Sequence, residues 1–147
     1  MSEHNKALIR RAVEDIWNGG NYAAFEDLVS PDFRIYGSTA DKDLRGRDAA
    51  IAYFQGVRAA FPDLHFEIDD LISEGDRVVT RWSASGTHLG DFQGIPPTGR
   101  RIKISGTDVD RIANGQVVEC WPQLDELGLL QQLGAVPETT SVDRVAD

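Results

Sequence analysis

The chain has 147 residues, 41% of them apolar, and 24 acidic against 15 basic side chains leave a formal net charge of -9. That size suits one domain with a real core. With no dense Lys/Arg cluster to offset it, the acidic balance argues against nucleic acid and anionic lipid surfaces as partners.

The opening segment, MSEHNKALIRRAVEDIW, carries a charge every few residues and lacks the apolar core of a secretion signal. No apolar run elsewhere approaches membrane-spanning length, so a cytoplasmic location is expected. Within the opening segment Leu8, Ile9, Ala12, Val13, Ile16 and Trp17 recur at helical spacing, and the NGGN that follows stops the helix. Phe25, Leu28 and Val29 predict a short second helix closed by Ser30-Pro31-Asp32, after which Phe33 and Ile35 alternate with Arg34 as a first strand. Asp48 is placed to cap a third helix running through Ile51, Phe54 and Val57 towards Phe61, where Pro62 ends it.

From Leu64 the period changes to two. Leu64, Phe66 and Ile68 alternate with polar residues, and the turn SEGD leads into RVVTRWSASGTH, which together predict a hairpin. The Gly/Pro-rich LGDFQGIPPTGR reads as a loop, followed by a strand over RIKISGTDVDRI, an Asn-Gly turn, the strand QVVECW and a last helix from about Leu124 to Leu133. Helices first and an antiparallel meander after them describe an α+β domain, with helices packed on one face of a curved sheet and room for a cavity between the layers. Residues 1–136 are assigned to that domain. The polar tail, 137–147, has no sustained period and is expected to be mobile.

Few residues point to chemistry. There is no glycine-rich nucleotide loop, no GxSxG elbow and no HExxH, and three histidines with one cysteine offer no zinc-like spacing, so no metal or cofactor is expected. Cys120, in an apolar strand, reads as a buried inert thiol. Asp108 and Asp110 share one face of their strand, and Glu119 shares a face with Trp121. A two-residue loop at Asn114-Gly115 sets Asp108 opposite Trp121 and Asp110 opposite Glu119, whereas a bulged loop shifts the register by one. Asp110 and Glu119 read as a solvated sheet face. Asp125 stands where the last strand hands over to the last helix, and two readings stay open: a helix cap with a lowered pKa, or a cavity carboxyl whose pKa is raised by burial against Trp121 and Leu124. His88, at the rim of the Gly/Pro loop, is a candidate proton carrier near neutral pH. Trp17, Tyr36, Phe54, Trp82, Trp121 and Gln123 are the candidate cavity wall.

The segments WNGGN, AAFPDL, EGDRVVTRW, GTHLGDFQGIPPTGR, DRIANGQVVECW and LDELGLLQQLG, in that order, resemble the SnoaL-like polyketide cyclases, also known as ester cyclases. The resemblance runs from about Asn5 to Ala135. It implies the cone-shaped α+β fold shared with nuclear transport factor two, scytalone dehydratase and ketosteroid isomerase, in which a bent sheet and three helices enclose an apolar pocket. It also implies a homodimer formed through the outer face of the sheet, a small apolar or polycyclic substrate, and an aldol ring closure run by an aspartate without metal or cofactor. By that resemblance the aspartate is Asp125, with Asp108 holding a substrate oxygen where relatives often carry histidine. Cys120 and Tyr36 also stand where relatives carry histidines. Two alternatives remain: a non-catalytic binder of apolar molecules, and an epoxide-opening or isomerising enzyme using Asp and Arg around a water, for which Arg111 beside Asp110 is the support.

Overall fold

A computed structural model describes residues 2–37 and 43–137. Helix α1 (Ser2–Ala12) carries Glu3 in its first turn and Arg10 and Arg11 in its last, charges that complement the helix dipole. It continues directly into a π-helical turn, Val13–Asn18. The turn ends at Asn18, whose side chain pairs with the backbone of Phe66 in both directions, donating to its carbonyl (3.0 Å) and accepting from its amide (2.7 Å). The end of the first helical segment is thereby pinned to the sheet, and Ile16 and Trp17 are held on its inner side.

A turn at Tyr22–Ala24 leads into the short helix α2 (Phe25–Leu28) and then strand β1 (Val29–Ile35). Ser30-Pro31-Asp32 was expected to break the chain between helix and strand, but it lies inside β1. The register of β1 slips between Val29 and Arg34, so Pro31 falls in an irregular stretch where its missing amide costs no ladder bond. After the short strand β2 (Leu44–Arg45) comes helix α3 (Arg47–Ala60). Its N-cap is Gly46, at φ 90°, not Asp48, which sits in the first turn.

Strands β3 (His65–Glu74), β4 (Arg77–Thr87), β5 (Arg101–Ala113) and β6 (Gln116–Leu124) form the predicted antiparallel meander, and helix α4 (Glu126–Gln132) closes the fold. The α+β class stands, with one correction: β1 joins β6 in parallel, giving a mixed six-stranded sheet of order β2-β1-β6-β5-β4-β3. The inner face of the sheet meets α1, α2 and α3 in two buried clusters. One centres on Leu8, Phe25, Phe33 and Val117, the other on Phe61, Trp82, Ile102 and Leu129. Beyond Pro137 the expected mobile tail lies outside the described residues. Among those residues no helix is long and apolar enough to cross a membrane.

The β5–β6 hairpin fixes which side chains face inward. Asn114 (φ 54°) and Gly115 (φ 74°) form a two-residue turn with both positions left-handed, as an Asn-Gly pair permits, so Ala113 pairs with Gln116 and Ile112 with Val117. The register then slips by one residue, and Arg111 pairs with Glu119, Asp110 with Cys120 and Asp108 with Pro122. Val118 is the extra residue of a β-bulge, and such an insertion reverses the facing of everything after it relative to Val117. Cys120 and Pro122 therefore face the cavity together with Asp108 and Asp110, while Glu119 and Trp121 face outward.

Candidate functional site

Between the sheet and the helices lies a cavity of about 160 Å³. Its walls are largely apolar, and a connected aromatic run crosses them. Trp82 and Phe66 have ring centres 4.9 Å apart, Phe66 and Trp17 4.7 Å, and Trp17 and Phe54 3.9 Å. Trp82 fits over the sheet because residue 106 is glycine: a Cβ there would lie 2.3 Å from the indole. Of the expected wall residues, Trp17, Phe54 and Trp82 line the cavity.

The polar patch of this cavity is Thr80, Asp108, Asp110 and Cys120. One ligating atom each from Asp108, Asp110 and Cys120 falls within 4.8 Å of the others. Strand alternation puts the two carboxylates side by side two residues apart, and register puts Thr80 opposite Asp108 on β4. Asp108 accepts a hydrogen bond from the Trp82 indole N–H (3.0 Å), and the Cys120 thiol bonds to Asp110. Burial pushes the Asp108 carboxyl up to about 6. Asp110 is pushed up to about 8, first by burial and then by the neighbouring Asp108 charge. Burial also raises the Cys120 thiol well above its ordinary value, with the two aspartates adding to the effect. At neutral pH the pair therefore shares about one proton: two like charges this close in an apolar setting do not both ionise.

Among the described residues no lysine, arginine or histidine lines this cavity. An anion developing inside it is met by a carboxyl proton or a hydroxyl, not by a cation. The Thr80 hydroxyl is buried and, among the described residues, has no hydrogen-bond partner.

Several expected site residues lie elsewhere. Asp125 is exposed at the N-cap of α4, where its carboxylate accepts from the Gly128 amide at 2.9 Å. A Cβ at position 128 would lie 2.2 Å from that carboxylate, so the pair Asp125 and Gly128 is built for capping. Asp125 is thus a helix cap, and its carboxyl does not line the cavity. His88 is fully buried behind Phe61 and Phe92. Its Nδ1 accepts from the Thr98 amide (3.1 Å) and lies 3.0 Å from the Thr98 hydroxyl, so His88 braces the Gly/Pro loop without lining the cavity. Gln123 is exposed on β6.

Tyr36 and Trp121 face away from the cavity. They stack on the outer face of the sheet with ring centres 5.0 Å apart and planes within 4°, with Arg34 over Tyr36 (4.4 Å) and Arg77 over Trp121 (5.0 Å). Glu119 binds this stack together, accepting from the Tyr36 hydroxyl and from Arg111 (2.5 Å), and those bonds lower its pKa. Arg111 thus serves the outer face, which removes the support for an Asp-Arg pair around a catalytic water. Asp110, expected in solvent, is the most buried carboxylate of the cavity. The parity of Asp108 and Asp110 was readable; the side of the sheet they share was not.

Known proteins show the same architecture. The family model of the SnoaL-like polyketide cyclases matches residues 7–133. The aklanonic acid methyl ester cyclase DnrD of Streptomyces peucetius is 30% identical over 131 residues, covering 86% of this chain and 88% of its own. AclR of Streptomyces galilaeus, provisionally described as a hydroxylase, superposes with a TM-score of 0.85 at 32% identity, covering 99% of this chain and 90% of its own. TsrD of Streptomyces laurentii superposes with a TM-score of 0.83 at 29% identity, covering 92% and 98%.

Proposed function

Since the chain belongs to the SnoaL-like polyketide cyclase family, we propose that it performs acid/base chemistry on an apolar, polyketide-like carbonyl compound, with Asp108 as the working group. The observation that carries this reading is the pair of buried carboxyls, raised to about 6 and about 8, at the polar patch of an otherwise apolar cavity. A carboxyl near 6 is poised both to take and to return a proton at neutral pH. Asp110 keeps the proton of the pair, and Trp82 fixes the orientation of Asp108 through its indole N–H. The role moves from Asp125 to Asp108 because only the latter reaches the cavity.

In the reaction we infer, the Asp108 carboxylate removes a proton from a carbon flanked by two carbonyls. The enolate carbon then attacks a ketone of the same molecule, one carbon–carbon bond forms, and the alkoxide recovers the proton from the Asp108 carboxyl. Atoms balance without a metal, a redox step or a second substrate. The folded substrate supplies the proximity, and the aromatic wall supplies its shape. The methyl ester of aklanonic acid, named for the relative DnrD, is the first compound to try.

The test is single-turnover conversion of that ester by wild type, Asp108→Asn and Asp125→Asn. Loss of at least a hundred-fold in Asp108→Asn, with Asp125→Asn close to wild type, supports the reading. Equal turnover by wild type and Asp108→Asn would sink it. Binding of the ester with no turnover by any of the three would make the chain a binder.

Family membership also carries the homodimer proposal, through the outer face of the sheet. The flat stack of Tyr36 and Trp121, flanked by Arg34 and Arg77, is the surface we assign to it.

A further inference from the structure

The cavity's polar patch is one-sided. Among the described residues it offers a hydroxyl, two carboxyls and a thiol, and no cationic side chain. Asp108 has one of its oxygens engaged by Trp82, and the Thr80 hydroxyl, 3% exposed and opposite Asp108, is left without a partner. A buried hydroxyl without a partner is costly, as is a pair of adjacent buried carboxyls, and one guest resolves both: a group that donates several hydrogen bonds and carries positive charge. A carboxylate or phosphate is excluded by like-charge repulsion with no cation to relieve it.

The walls next to this patch suit such a guest. Trp82 donates its indole N–H to Asp108 and its ring opens the aromatic run through Phe66 to Trp17 and Phe54, so the apolar body of a guest held by Asp108 meets aromatic surface. The net charge of -9 works in the same direction at long range, because it concentrates cations around the molecule. A divalent metal is a poorer fit. It would require the thiol bonded to Asp110 to lose its proton in a buried setting, whereas an ammonium needs no thiolate.

We propose that the cavity binds an apolar, flat-bodied amine in its protonated form. The ammonium sits among Thr80, Asp108 and Asp110, and the body lies along the aromatic run from Trp82 to Phe54. This names a ligand class for the same carboxyl pair, and it rests on the reading that the pair is the working end of the cavity.

The experiment is isothermal titration of the full chain at pH 7 with three probes sharing one apolar body: 1-naphthylmethylamine, 1-naphthalenemethanol and 1-naphthoate. The amine is expected to bind at least ten-fold tighter than the alcohol, and the carboxylate weakest. The double variant Asp108→Asn/Asp110→Asn should bring the amine to the level of the alcohol while the alcohol keeps its own affinity, which shows that the cavity is intact. Thr80→Val should weaken the amine several-fold. The inference is overturned if the alcohol matches the amine, if the amine does not bind, or if the double variant Asp108→Asn/Asp110→Asn leaves amine affinity unchanged. Keto-ester turnover without amine binding would remove this inference and leave the acid/base reading standing. Amine binding without turnover would do the reverse.

Discussion

Replacing Asp110 by asparagine should change how stability depends on pH, with a sign fixed by burial. The Asp110 carboxyl is raised from its ordinary value near 3.8 to about 8 in the folded protein. A raised folded value means that the native state binds the proton more tightly than the unfolded chain does. Stability is then fully present below about 4 and is lost as pH rises towards 8, at up to about 1.4 kcal/mol per pH unit while the group is protonated only in the folded state. Over two units, from pH 5 to 7, the loss from Asp110 is of order 2–3 kcal/mol. Asparagine does not titrate, so this slope vanishes. The variant loses the bond with Cys120, about 1 kcal/mol, and is expected to be less stable than wild type at pH 5 and more stable at pH 7.5. Urea unfolding at half-unit steps between pH 4.5 and 8 reads the difference directly. Parallel curves, with a gap that does not change with pH, would refute the reasoning, because they would mean that Asp110 ionises alike in the folded and unfolded chains.

Other perturbations separate the cavity from the features that surround it. Asp125→Ala or Gly128→Ala should each cost about 1 kcal/mol in denaturant unfolding through loss of the α4 cap, with turnover unchanged; a large loss of turnover would return Asp125 to the site. Trp82→Phe removes the indole N–H that lowers the Asp108 pKa, so the acidic limb of the pH–rate profile should move to higher pH, and an unmoved limb would count against Asp108 as the base. If the proposed dimer forms, Trp121→Ala should shift sedimentation at micromolar concentration towards the monomer while leaving the cavity probes bound, and a wild type that sediments as a monomer would remove the outer-face interface.

Much of the fold was written in local sequence. Alternation from Leu64 onward gave the meander, and Asn114-Gly115 gave a turn whose two left-handed positions only such a pair fills comfortably. What failed was each feature decided at long range. Pro31 looked like a break, yet its strand pairs in parallel with a segment almost ninety residues away, at an irregularity that spares it a ladder bond. The bulge at Val118 leaves no mark in the VVEC stretch, yet it determines that Cys120 and Pro122, not Glu119 and Trp121, share the cavity with Asp108.

The site was legible in the same uneven way. TDVD reads as alternating surface acids, and only the packing of α1 and α3 over that face turns Asp110 into a buried group. Family likeness pointed to Asp125, but a glycine three residues on makes that position a cap, and Gly128 was the signal available in the sequence. Thr80 gave no signal at all, because a threonine on an alternating strand looks like any other.

The central claim is that Asp108 and Asp110 form a proton-sharing pair inside the cavity. The most direct measurement is a carbon-13 NMR titration of the aspartate carboxyls, with Asp108→Asn and Asp110→Asn used to assign the two signals. The account predicts that both titrate above the ordinary ~3.9, Asp110 later than Asp108, and that Asp110 titrates earlier once Asp108 is asparagine. Two independent midpoints near 4, each unmoved by loss of the other, would contradict it.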